Sequence, residues 1–513
     1  MSDRAESMTA SAGSGQAELV KGLSLFDSTM IVVGSMIGSG IFIVSSDIAN
    51  QVRSPGLLIT VWIVSGVMTL IGALSYGELA AAMPRAGGQY VYLRESLGPL
   101  WGFLYGWTML LVIQTATIAA VAISFAKFTG VMVPWFSASA WIWKFGTFGP
   151  WKFSFATLGP YDVGLNTQNL LAIASIVFLT WLNTRGLRIG SIVQNIFTLA
   201  KTGALAALVL LGIIFSTQAA RDANFTHFWR NAGLSTLHPY PPGQGTWMIG
   251  TLTLIAVAMV GSLFASDAWN NITFTAAEVK NPSRNLPLSL ALGTGIVTVL
   301  YVLANIAYLR VLPLMGDPAG HTAIARGIQY AAESRVGTAT AEVIFGPAGA
   351  VVMAIAILIS GFGCNNGLIL AGARIYYAMA KDGLFFKSIG SLNKYHAPGA
   401  ALIVQCIWAS VLCVSGTYSQ LLVFLIFAVL IFYILTLTGL FILRRTRPNM
   451  ERPYRAFGYP VLPALYLVMA LFIEVQLLRY QPEYTWPGLI IVLLGLPVYA
   501  IWRIRAGKNR ATV

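Results

Sequence analysis

Apolar runs of roughly 18–30 residues, each long enough to cross a bilayer as a helix, recur along the chain from Phe26 to Arg503. Twelve are read, with approximate limits 26–50, 56–83, 97–128, 166–183, 190–214, 247–276, 288–311, 341–380, 398–414, 417–443, 461–479 and 486–503. The connections after the third and the fifth run are long. The pattern predicts an all-α integral membrane protein of twelve transmembrane helices.

The first run carries its own break. Its middle reads GSMIGSGIF (Gly34 to Phe42), with glycines at 34, 38 and 40 and serines at 35 and 39. In lipid every backbone N–H and C=O needs an internal partner, so a span should be an unbroken helix. Clustered glycines lower the cost of leaving helical geometry. Unwound backbone at that depth is tolerated only where protein buries it or where it lines a cavity. The sixth run is interrupted as well, by SLFASDAWNN (Ser262 to Asn271), where Ser266 and Asp267 can bond local backbone in place of the helix. Interrupted segments at matching places in two five-span halves point to an inverted-repeat transporter with its binding site between them.

Helix ends set the chemistry of such a site. N–H groups freed at the start of the second half of span one, around Gly38, Ser39 and Gly40, suit a carboxylate, and glycine lets it approach closely. Carbonyls freed near Met36, Ile37 and Phe264 suit an ammonium. Both together describe a zwitterion site, hence an α-amino acid. The competing reading is a small-residue helix-packing patch, Gly34-x-x-x-Gly38.

Composition agrees with the membrane reading. The chain has 513 residues, 57% hydrophobic and only 10% charged, about half the charged share of a soluble protein. Its net charge of +14 would raise nucleic-acid binding in a soluble domain. Here basic residues gather in the connections expected to be cytoplasmic, such as Arg185, Arg188, Lys280, Arg284, Arg444, Arg445 and Arg447, and in the tail from Arg503. That is the positive-inside pattern, which puts both termini in the cytoplasm and directs the surplus to anionic lipid, with no nucleic-acid partner. The three cysteines, Cys364, Cys406 and Cys413, lie in expected spans, which excludes a disulfide framework. The four histidines lack ligand spacing, so no metal or other cofactor is expected. No His/Asp/Ser constellation suggests an enzyme. Residues 1–21 read as a disordered cytoplasmic tail, 22–445 as a ten-helix core (repeat one about 22–214, repeat two about 247–443), 446–503 as helices eleven and twelve, and 504–513 as a basic tail.

Four motifs in order carry a family resemblance: GSMIGSGIF, MPRAGGQYVYLRESLG (Met83 to Gly98), LFASDAWN and AEVKNPSRNLPLSL (Ala277 to Leu290). They resemble the amino acid–polyamine–organocation superfamily, most closely its L-type amino acid transporter branch, in a prokaryotic-like member. The resemblance implies a LeuT-like 5+5 inverted repeat with helices one and six broken, and sodium-independent amino acid transport, commonly by exchange. Carried over residue by residue, it implies carboxylate recognition on Gly38, Ser39 and Gly40 beside Met36 and Ile37. Phe264 becomes the aromatic gate, and carbonyls near Phe264, Ala265 and Asp267 receive the amine, with Ser266 shaping the side-chain pocket.

Lys201 lies mid-way along span five, where a lysine is costly and should face the bundle interior with a partner. In the resembling family a lysine here occupies the cation site of sodium-coupled relatives. It can bridge span one to span eight, where Ser360, Cys364 and Asn365 are candidate neighbours. Asp267 stands where some members have glycine. It could meet a substrate amine, take up a proton, or cap the second half-helix. Gln114, Asn270 and Asn366 are candidates for cavity lining or interhelical support, and Glu78 for an inner gate or loop network. Trp135, Trp141, Trp143 and Trp151 read as an interfacial aromatic belt, and Asn224-Phe225-Thr226 matches the glycosylation tripeptide. Eukaryotic members of the branch join a heavy chain through a cysteine after span three; residues 129–165 have none, so no covalently linked heavy chain is expected. The expected function is exchange of neutral amino acids by alternating access in the cell membrane. Proton symport, polyamine or organic-cation transport, and a non-transporting amino acid sensor are the alternatives.

Overall fold

The computed structural model describes residues 19–511 except 150, 153–156, 159–160, 230–246, 415–417 and 481. The expected N-terminal tail, up to residue 18, lies outside the described residues. Ser24 opens the first helix with a capping box: its hydroxyl accepts from the Asp27 N–H, and the Asp27 carboxylate accepts from the Ser24 N–H. That helix, α1 (Leu25–Met36), stops at an extended Ile37, and α2 (Gly40–Val52) resumes with its axis turned by 41°. Next come α3 (Pro55–Ala82), started by a Ser54 cap and a first-turn proline, α4 (Gln89–Leu97), α5 (Pro99–Thr108) and α6 (Gln114–Met132). A π-helical turn, Met109–Ile113, joins the last two into one continuous span.

Strand β1 (Trp141–Phe148) precedes a small pair, β2 (Trp151–Lys152) and β3 (Thr157–Leu158), and then pairs antiparallel with β4 (Tyr161–Asn166). The chain continues through α7 (Thr167–Thr184), α8 (Leu187–Ile214), α9 (Gln218–Phe225), α10 (Trp247–Ala265), α11 (Asn271–Phe274) and α12 (Pro282–Val311). After α13 (Ala323–Arg326) come α14 (Val336–Phe345), α15 (Pro347–Lys381), α16 (Gly399–Val414), α17 (Tyr418–Thr446), α18 (Val461–Tyr480) and α19 (Pro482–Ala511).

Every expected run falls on helix. Among the described residues seven helices are long and apolar enough to cross a membrane, or eight with the bent α1–α2 pair as one. The other four expected spans correspond to shorter or less apolar helices, α7, α10, α16 and α19. A short or interrupted helix can sit inside a bundle because neighbouring helices supply its missing partners.

The two breaks meet at the centre. Helix α1 packs on α8, α12 and α15, while α2 packs on α10. Glycine makes this possible. A Cβ on Gly34 would sit 2.0 Å from Gln194 Nε2 and 2.2 Å from Thr198 Oγ1, and one on Gly40 would sit 3.0 Å from the Ala265 Cβ. The small-residue packing reading therefore holds for Gly34, alongside the break.

At one end of the bundle Arg374 of α15 clasps Glu278 through two bonds of 2.9 and 3.0 Å, both side chains being 1% exposed. The N-terminal segment joins there, with Gly22 and Leu23 donating to the Glu278 carbonyl. Glu78 binds Arg444, Arg452 and the Ala456 N–H, which makes it part of a loop network. Asn224 belongs to the interior. It is 1% exposed, donates to the Leu309 and Leu312 carbonyls and accepts from the Leu314 N–H, so the glycosylation match is a packing asparagine.

Candidate functional site

A helix that ends inside protein leaves its last four carbonyls without helical donors. In α1 each is met. Gly34 O accepts from Lys201 Nζ at 2.5 Å, and Ser35 O from Cys364 Sγ at 3.1 Å. Met36 O accepts from the Tyr301 hydroxyl at 3.0 Å and from the Gly38 N–H at 2.9 Å. Ile37 O accepts from Lys201 Nζ at 2.7 Å and Ser360 Oγ at 3.1 Å. Lys201, 1% exposed, also reaches Ser360 O at 3.4 Å. It thus fastens the broken helix to α15. Asn365 is buried next to Cys364 in the chain, and among the described residues its side-chain amide oxygen has no bonded partner.

These bonds revise the expected ligand set. Both lone pairs of Ile37 O are engaged by the protein's own donors, so that carbonyl is not open to a substrate amine. The Gly38 N–H turns back to Met36 O and is not free. Among the described residues, the N–H groups of Ser39 and Gly40 donate to no backbone carbonyl, and α2 has no side-chain cap. Of the three expected donors, those two remain for an anion.

The second break is longer. Helix α10 ends at Ala265, Ala268 takes a left-handed conformation (φ 64°), and α11 has only four residues. Asp267 does not cap it. The N-cap is Asn270, without a side-chain bond, while Asp267 Oδ1 accepts from the Tyr433 hydroxyl at 2.7 Å. Phe264 O accepts from the Asp267 N–H at 3.2 Å and keeps one lone pair. Ala265 O accepts from Tyr301 at 3.0 Å, so one hydroxyl of α12 touches both breaks. Asn270 donates to Gln89 Oε1, and Gln89 donates to Thr436.

A small cavity opens between the breaks. Ser35, Met36, Gly38, Ser39 and Gly40 line one side of it, and Phe264, Ala265 and Asp267 the other. A second cavity shares Thr117, Asp267 and Ala268 and runs over Gln114, Asn270 and Tyr433. Its wall includes Met109 and Ile113 from the π-helical turn, a distortion that often marks functional places. Ser266 lines a third, on the α18 side, again with Asp267. Ile37, Lys201 and Ser360 are buried in the wall behind the break. Gln114 both lines a cavity and donates to Leu368 O. Asn366 instead bonds Gly190, Gln194 and Asn183, so it is interhelical support.

Sequence reading missed Tyr301, Tyr433 and Gln89. An aromatic hydroxyl in an apolar run has no signal that separates packing from bonding. The arrangement offers amide donors at one end and a carboxylate at the other, a pattern complementary to a molecule carrying both charges.

The chain matches the amino acid permease family over residues 23–497. It is 30% identical to the large neutral amino acids transporter small subunit 2 of Mus musculus, over 97% of this chain and 84% of that protein. The Oryctolagus cuniculus counterpart is 30% identical over 96% and 82%. The b(0,+)-type amino acid transporter 1 of Homo sapiens is 28% identical over 94% and 88%. With membrane-length helices, two facing breaks and a match that spans nearly the whole chain, this protein belongs to the amino acid permease family.

Proposed function

We propose that this protein is a sodium-independent amino acid transporter that exchanges neutral amino acids by alternating access. The observation that carries the reading is the cavity walled by both helix breaks, with free amide donors on one side and Asp267 on the other. The substrate carboxylate goes to the Ser39 and Gly40 N–H groups at the start of α2, where Gly38 leaves room for close approach. The ammonium goes to the remaining lone pair of Phe264 O and towards Asp267, under the Phe264 ring. Lys201 supports sodium independence, since its ammonium already serves the carbonyls that a bound cation would need.

The bundle of spans one, two, six and seven rocks against three, four, eight and nine. Repeats of about 22–214 and 247–443 form the core, with 446–503 and the tail 504–513 outside it. The protein sits in the cell membrane with both termini cytoplasmic and performs no catalysis. It works without a covalently linked heavy chain: residues 129–165 contain no cysteine, although the "small subunit" in the rodent and rabbit names marks those proteins as parts of assemblies. One alternative rests on a specific observation. Among the described residues Asp267 is held by a tyrosine hydroxyl and no basic side chain, an arrangement that also suits proton symport.

Competition for uptake into proteoliposomes tests the substrate class. Zwitterionic amino acids are expected to compete and putrescine to fail; the reverse overturns the zwitterion assignment. Comparing Asp267→Asn across a pH gradient separates the two coupling modes, since gradient-driven uptake lost in the variant would favour symport.

A further inference from the structure

The hairpin between α6 and α7 has two unlike faces. In its register Trp143 lies opposite Leu165 and Gly146 opposite Val163, with Phe148 opposite Tyr161, so these positions share one side. Phe145, the bulged residue, stacks on Trp143 with ring centroids 4.9 Å apart, which puts it on the same side. Lys144 and Thr147 fall on the other side with Asp162. The Lys144 ammonium lies 2.8 Å from the Asp162 carboxylate, the Thr147 hydroxyl donates to it at 2.5 Å, and Lys144 also covers the Trp141 ring. One face is therefore aromatic and aliphatic, and the other is polar and internally satisfied.

The apolar face is uncovered in this chain. Trp143 is 65% exposed, Phe145 57% and Phe148 48%. Its place in the chain says what covers it. Strand β4 runs into α7 without a linker, Asn166 serving as both the last strand residue and the helix cap. The hairpin base is thus fixed at the surface where that span ends. Strand β4 also touches α16, and the outward sides of both helices are apolar, with Leu170, Val177 and Phe178 on α7 and Ile403 and Ile407 on α16. The hairpin thus leaves the bundle at the end of α7, beside exposed apolar helix sides, and tryptophan and other amphipathic rings concentrate where apolar spans meet water.

We propose that the β1–β4 hairpin lies on the bilayer, with Trp143, Phe145 and Phe148 in the headgroup region and the Lys144–Thr147–Asp162 face towards water. It anchors span four of the scaffold against the membrane surface. The occupant of the apolar face is phospholipid.

The test places an environment-sensitive fluorophore at Phe145→Cys, Phe148→Cys or Thr147→Cys, in a Cys406→Ser background, with the full chain in phosphatidylcholine–phosphatidylglycerol vesicles. Labels at 145 and 148 are expected to emit to the blue of the label at 147. Headgroup-nitroxide lipid should quench them at least about twofold more strongly. Equal exposure of all three labels to aqueous iodide overturns the proposal. Protection from iodide without quenching by nitroxide lipid also overturns it, in favour of a protein partner. Two aromatic positions keep the test readable if one variant fails to insert.

Discussion

Replacing Tyr301 by phenylalanine removes one oxygen from the junction of the two breaks and little else. The ring stays packed edge-on against Trp62, with centroids 5.4 Å apart, so no large cavity forms. The hydroxyl lies 3.0 Å from both Met36 O and Ala265 O, but it has one proton to give. Met36 O keeps the Gly38 N–H at 2.9 Å. Ala265 O, on a residue only 4% exposed, loses its donor. A buried carbonyl left unsatisfied costs about 1–3 kcal/mol, with the lower figure applying if cavity water reaches it. At about 1.4 kcal/mol per factor of ten, the joined arrangement loses roughly fivefold to 150-fold against loosened ones. Purified Tyr301→Phe protein is expected to melt at a lower temperature and to show a raised KM for amino acid uptake into proteoliposomes. Wild-type values in both measurements would refute the idea that this hydroxyl couples the breaks.

Three further outcomes follow from packing and pairing. Gly34→Ala drives a methyl into Gln194 and Thr198 and is expected to cost about 1–3 kcal/mol of stability with loss of uptake, whereas Gly203→Ala, whose new methyl meets nothing within 4 Å, should be silent in a melting assay. Glu278→Gln leaves the Arg374 charge buried without its partner, a loss of about 3–5 kcal/mol, and the double variant with Arg374→Met should recover much of the melting temperature. Asn224→Ala removes three interior bonds and should destabilise the protein, while Thr226→Ala, which deletes the glycosylation tripeptide, should leave stability unchanged and remove no glycan mass in a glycosylating host.

The breaks were legible because glycine clusters and polar interruptions in apolar runs are local signals with few structural uses. Lys201 was legible for a related reason: a charge at mid-span has to be spent on a partner, and the partners were the carbonyls that the break exposes. What sequence could not show is which freed groups the protein keeps for itself. Ile37 O and the Gly38 N–H were expected to face substrate, but partners from α8, α15 and the adjacent turn already engage them. Tyr301 and Tyr433 stayed hidden because an apolar ring dominates their pattern while one hydroxyl does the bonding. The Glu278–Arg374 clasp joins residues 96 positions apart, beyond any local periodicity. Length and apolarity alone mark fewer spans, because short helices such as α11 are completed by packing inside the bundle.

Radiolabelled neutral amino acid uptake, measured without sodium into proteoliposomes loaded with unlabelled amino acid or left empty, tests the central claim most directly. Exchange at the cavity between the two breaks predicts uptake that is strongly stimulated by internal amino acid and indifferent to added sodium. Uptake that needs sodium, or that is absent from loaded and empty vesicles alike, would contradict it.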